Sequence, residues 1–175
     1  MRPNEGPPEG WQARRPAMPA GYGLLPPSEG SLVAWEHVTT RLREAHNYWV
    51  SSASAHGRPH AMPVWGLWTD GRFIFSTDPA SRKARNFQAN PRVVIHLESA
   101  DDVVVLEGSV EVVKDAEWLT TMNKGYAAKY GVPLGDGPVF QVVPLRVFSW
   151  EESGFPSTAT KWESPGKSEA VVGQE

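Results

Sequence analysis

The stretch STDPASRKARNFQANPRVVIHLE, residues 76–98, decides the fold. It joins the end of one β-rich run to the start of another through a short helix. No acid occurs between Asp78 and Glu98, yet Arg82, Lys83, Arg85 and Arg92 all lie there. Asp78-Pro79 reads as an N-cap followed by a residue whose fixed φ suits the first helical position, and Asn90-Pro91 as the stop. Cations in the first turns oppose the helix dipole and cost roughly 0.3–1 kcal/mol each at exposed sites. Two readings stay open. In one, N–H groups near Ala80 and Ser81, the hydroxyls of Ser76, Thr77 and Ser81, and the Arg82/Lys83 pair converge on a phosphate. In the other, the cations form a solvated face.

Working outward, the segments on both sides are β-rich. Upstream, NYWVSSAS (47–54), HAMPVWGLW (60–68) and RFIFST (72–77) are aromatic and β-branched, parted by AHGRP (55–59) and TDGR (69–72). Asp70-Gly71 favours a type I′ hairpin. Pro63 and Gly66 interrupt the second of these strands. They fit a bulge or a flat ligand against the backbone, walled by Trp65 and Trp68, or else an edge strand whose tryptophans are core or dimer contacts. Downstream, residues 92–98, 102–113, 144–150 and 157–162 read as strands, and Asp115–Tyr130 as a long helix serving as packing surface. Trp35, Val38, Leu42 and Ala45 mark an amphipathic helix over Ser31–Ala45, opened by Ser31. This order specifies a mainly β, antiparallel domain with peripheral helices, a small barrel rather than a parallel α/β sheet.

Composition narrows the classes. The chain has 175 residues, 40% hydrophobic, with a formal charge of −3 and no cysteine. Thiol chemistry and disulfides are excluded, and no global charge favours nucleic acid. The opening MRPNEGPPEGWQARRP holds no signal-peptide core, and no apolar run is long enough for a membrane span, so a cytoplasmic protein without membrane or nucleic-acid partners is expected. Residues 1–30 hold twelve of the 32 glycines and prolines. They read as an arm, 31–163 as the domain and 164–175 as a polar tail. The five histidines lack ligand spacing, so no metal is expected. His60 reads as a surface residue, and Glu98, Asp101 and Asp102 as a solvated turn.

These segments together, HGRPHAMPVWGLWTDGRFIF followed by STDPASRKARNFQANPRVVI, resemble the pyridoxamine 5′-phosphate oxidase-like superfamily of split β-barrel flavin and deazaflavin proteins. The resemblance runs from about residue 31 to 162. It implies that Ser81, Arg82 and Lys83, with Ser76 and Thr77, hold the phosphate of FMN or coenzyme F420. It places the ring against Met62, Pro63, Val64 and Trp65. The family's strand cations fall on or near Ala61 and Gly66 here and are missing. TATKW (158–162) is similar to the Ala-Thr-Arg-Trp ending of an actinobacterial deazaflavin-dependent branch, which adds Lys161 and Trp162 to the cofactor set. Lysine in place of arginine loses the bidentate contact. The resemblance therefore implies an F420-dependent oxidoreductase, a homodimer with the cofactor in its groove, passing hydride to a flat, apolar or conjugated small molecule. An FMN-dependent enzyme and a non-catalytic carrier are the alternatives. No catalytic side chain is identified.

Overall fold

The computed structural model describes residues 6–163; the expected tail, 164–175, and residues 1–5 of the arm lie outside them. Nine strands form one antiparallel sheet: β1 (Gln12–Arg14), β2 (Tyr48–Ala53), β3 (Pro59–Val64), β4 (Leu67–Thr69), β5 (Arg72–Ser76), β6 (Arg92–His96), β7 (Asp102–Val112), β8 (Val139–Glu151) and β9 (Thr160–Glu163). Four helices accompany them: α1 (Trp35–Glu44), α2 (Arg82–Ala89), α3 (Ala116–Tyr130) and the short α4 (Phe155–Thr158). The order β1-β9-β8-β7-β6-β2-β3 is split at β8. The first part of that strand pairs with β5, which pairs in turn with β4, and its second part pairs with β9. Between the two parts, a register shift at Glu107/Gly108 bends the β7–β8 ladder. Gly108 is required there, because a Cβ would lie 2.6 Å from the Val143 carbonyl oxygen. This is a split β-barrel.

Period-two burial builds the core. Along β2, Tyr48, Val50 and Ser52 are buried while Trp49, Ser51 and Ala53 are not. The inward residues meet Phe73, Phe75, Ile95, Leu106, Val142 and Val147, with Val38 and Leu42 of α1 laid across them. A second cluster joins Met122 and Tyr126 of α3 to Leu67, Ile74, Leu134 and Val139. The Asp70-Gly71 turn forms as expected for a type I′ hairpin, with φ of 47° and 68°.

Several sequence expectations need correction. α1 starts at Trp35, not Ser31, and Ala34 stands at its N-cap with no side-chain bond. HAMPVWGLW is not one strand; it breaks at Trp65-Gly66 into β3 and β4. Gly66 is explained by packing rather than a ligand, since a Cβ would come within 2.3 Å of the Phe73 ring. Trp68 is no wall, being 1% exposed in the core. The expected strand at 144–150 begins earlier, at Val139, and the one at 157–162 begins only at Thr160, after α4. Asp102 is not simply solvated: it forms an ion pair with Arg41, 2.8 Å from Nε, and hydrogen-bonds His37 Nε2 at 2.8 Å, fixing α1 to β7.

The N-terminal segment joins the sheet. β1 pairs with β9, Trp11 packs edge-on against Trp35 at 5.7 Å, and Arg15 donates to the carbonyls of Leu25, Ser157 and Ala159.

Candidate functional site

The acid-free cationic segment folds with its helix start displaced from the expected one. Asp78 and Pro79 do not open α2. The Asp78 carboxylate accepts the Ala80 N–H at 2.6 Å and its carbonyl accepts the Ser81 N–H at 2.9 Å, making a tight turn. Ser81 is the N-cap, its Oγ accepting the Ala84 N–H at 3.2 Å. The N–H groups of Ala80 and Ser81, expected to face a phosphate, are therefore already committed. The open donors are those of Arg82 and Lys83, the first two helical residues, which precede any intrahelical acceptor. Both cations thus stand even nearer the positive end of the dipole than the sequence suggested.

Around this end, Thr77 Oγ1 donates to Ser81 Oγ at 3.3 Å, and Ser76 Oγ donates to the Pro138 carbonyl at 3.2 Å. Gly137 lies against Thr77, where a Cβ would sit 3.0 Å from the carbonyl oxygen, so the segment before β8 closes on the strand end. No carboxylate pairs with Arg82 or Lys83 among the described residues. Burial pulls the half-buried Lys83 ammonium below its ordinary pKa. Arg85 instead folds back onto the Ala80 carbonyl.

The inner face of α2 is bolted to the sheet. Buried Asn86 donates to Ser52 Oγ at 2.9 Å, and Ser52 lies opposite His60 in the β2–β3 register. His60 stands partly exposed on β3, at the end of the sheet order. Burial first, then the charges of Arg82 and Lys83, hold its imidazole below the usual value. The helix start and β3 therefore share one electrostatic environment. Neither the coupling of His60 to the helix start nor the Asn86–Ser52 bond was legible in the sequence, because both depend on which strand the helix lands on.

Among the described residues β3 bonds only to β2, leaving its other edge open. Met62 and Trp65 are 48% and 43% exposed, Pro63 is exposed, and Val64 packs on the core. Ser76, Thr77, Ser81, Arg82 and Lys83 come together, with β3 beside them. Lys161 and Trp162 do not join them within one chain. They lie on β9, separated from β3 in the sheet order by β8, β7, β6 and β2. Lys161 pairs with Glu163 at 2.7 Å, while Trp162 donates to the Val33 carbonyl at 3.1 Å and packs edge-on against Trp35.

This split barrel, with a cationic helix start beside an open edge strand, matches the family model of pyridoxamine 5′-phosphate oxidase over residues 34–151. The chain belongs to that family. A pyridoxine/pyridoxamine 5′-phosphate oxidase from Anaeromyxobacter dehalogenans is 33% identical over 98 residues, 50% of each chain. The chain thus spans about half the length of this curated relative. Two solved structures share the fold. The heme storage protein HutZ from Vibrio cholerae is 19% identical with a TM-score of 0.54, covering 61% of this chain and 87% of its own. An F420 reductase is 20% identical with a TM-score of 0.51, covering 62% and 93%. No helix among the described residues is long and apolar enough to cross a membrane.

Proposed function

We propose that this chain is an oxidoreductase that holds the phosphate of a flavin-type cofactor at the start of α2, lays the ring along β3, and reduces a flat conjugated small molecule. The observation that carries this reading is the pair Arg82 and Lys83 at the first two helical positions, with open backbone N–H groups and no acid partner. Each opposes the dipole, so the local arrangement favours an anion between them. The residues present fit such a group: two cations, two backbone donors and the Thr77 and Ser81 hydroxyls meet at one helix end. A bound ring would supply hydride chemistry. The chain's own residues anchor and orient. Ser81 fixes the helix start through its cap, and Asn86 sets the helix against β2. Met62 and Pro63 leave an open backbone edge for a planar group.

Coenzyme F420 is the cofactor this reading prefers, because no cation stands on β3 between His60 and Gly66 to meet a reduced flavin edge. FMN is the second reading, favoured by the family match over residues 34–151. Lys161 and Trp162 would reach a ring on β3 only across a subunit boundary, so the reading includes a homodimer and a cytoplasmic enzyme. Titrating the purified protein in parallel with FMN and F420, followed by visible absorbance, tests it. Saturable binding of F420 at lower concentration than FMN is expected. Tighter FMN binding transfers the assignment to the second reading, and binding of neither overturns both.

A further inference from the structure

Another cation likewise has no carboxylate partner among the described residues. Lys129, near the end of α3, is half-buried at the corner where β3 passes into β4. Its Nζ donates to Tyr48 Oη at 2.7 Å and to the Gly66 carbonyl at 3.2 Å. It lies 4.9 Å from the centre of the Tyr48 ring and 5.2 Å from that of Tyr130. Tyr48 from β2 and Tyr130 from α3 face it, with Tyr126 and His46 packed in turn against Tyr130; none of the four is a carboxylate. An ammonium carries three donors. Two are spent on neutral acceptors, and the third has no protein acceptor among the described residues. A methionine would fill the same space without the desolvation cost, so the charge is not explained by packing.

Beside it stands an open aromatic surface. Trp65 stacks on Tyr130 at 4.9 Å and 5° between planes, and His46 meets both rings edge-on at 5.6 Å and 5.2 Å. Tyr130 Oη accepts the Gly66 N–H at 2.9 Å and lies 2.8 Å and 2.9 Å from the Gly66 and His46 carbonyl oxygens. The residue after Trp65 is thereby clamped, and the indole is held in place while remaining 43% exposed.

We propose that Lys129 and the Trp65–Tyr130 pair form a binding site for a planar aromatic anion, its ring against Trp65 and its carboxylate or phenolate oxygen on the free Lys129 donor. Exposed stacking area recognises the ring, and a cation already stripped of part of its water recognises the charge. The inference rests on the oxidoreductase reading only in calling this ligand the substrate. Burial draws the Lys129 ammonium down to about 8, whereas Tyr130 is pushed up to about 12 and Tyr48 is also raised. Between pH 7 and 9.5 Lys129 is thus the member of the Lys–Tyr cluster that changes charge, and anion binding weakens as it does.

The test uses 4-nitrobenzoate as probe, with uncharged 4-nitrobenzamide and acetate as controls, by titration calorimetry of the full chain. Wild type should bind the benzoate and lose affinity from pH 7 to pH 9.5. Lys129→Met should weaken it at pH 7 by at least about tenfold and flatten the pH profile. Lys129→Arg should retain binding at both pH values, and His46→Gln, whatever its affinity at pH 7, should still lose affinity from pH 7 to pH 9.5. Trp65→Leu should weaken the benzoate and benzamide alike, and acetate should not bind measurably. Equal benzoate affinity in wild type and Lys129→Met, or no benzoate binding to wild type, overturns the site; if Lys129→Met does not fold, a flat wild-type profile does so. FMN and F420 titrated into the same preparations report the α2 site separately. Failure there with benzoate binding intact rejects the oxidoreductase reading and leaves the aromatic-anion site standing.

Discussion

Lys83 and His60 sense the same local potential from two elements. Burial first, and then the Arg82 and Lys83 charges, disfavour a proton on His60, so its folded pKa is depressed. The sign follows from linkage. A depressed imidazole contributes stability that is full above its ordinary value and declines as pH falls through that value toward the depressed one. A phosphate bound at the helix start reverses the local potential. In a proton NMR titration, His60 should show its midpoint below the ordinary imidazole value without ligand and a higher one with saturating FMN or F420. A midpoint unmoved by a bound cofactor would place the phosphate elsewhere. These residues also mark what was legible. The unbalanced charge of Ser81-Arg82-Lys83 was legible, because a missing acid is visible in one dimension, but charge alone left an anion site and a solvated face both open. The partnership with His60, 22 positions upstream, depends on strand pairing and was not.

Secondary-structure elements were read well where a local rule acts alone and poorly where two compete. Asp70-Gly71 has one favourable turn geometry and adopts it. Asp78 and Ser81, three residues apart, are both good caps. Asp78 spends its carboxylate on the Ala80 N–H, so the cap passes to Ser81 and the helix starts three residues later than Pro79. Removing that cap with Ser81→Ala should cost about 1 kcal/mol. Gly66 misled the sequence reading for another reason: its neighbour Phe73 arrives from the far side of a hairpin. Gly66→Ala drives a methyl group into that ring, 2.3 Å from its edge, and into the Ile74 carbonyl, 2.8 Å away. Overpacking of this kind costs about 1–3 kcal/mol, so thermal unfolding should fall by roughly 3–10 °C. A midpoint unchanged within a degree would mean the β3–β4 corner is looser than described.

Across the whole molecule, the open edge of β3 with exposed Met62 and Pro63 calls for a covering partner, since an unpaired apolar edge invites association. Sedimentation should give a species twice the 19.3 kDa chain mass; a monomer that still binds cofactor would contradict the groove between subunits. Deleting residues 1–10 should leave thermal stability within a few degrees of wild type, whereas removing 1–16 takes away β1, Trp11 and the three Arg15 bonds and should lower it clearly. The central claim concerns the start of α2, and Lys83→Ala in the full chain tests it most directly. One charge-assisted hydrogen bond to phosphate contributes about 1.5–3 kcal/mol. The cofactor binding isotherm of the variant should therefore shift by roughly ten- to a hundredfold toward weaker affinity, with an unchanged fold by circular dichroism. A folded Lys83→Ala variant with wild-type affinity for both FMN and F420 would contradict the account.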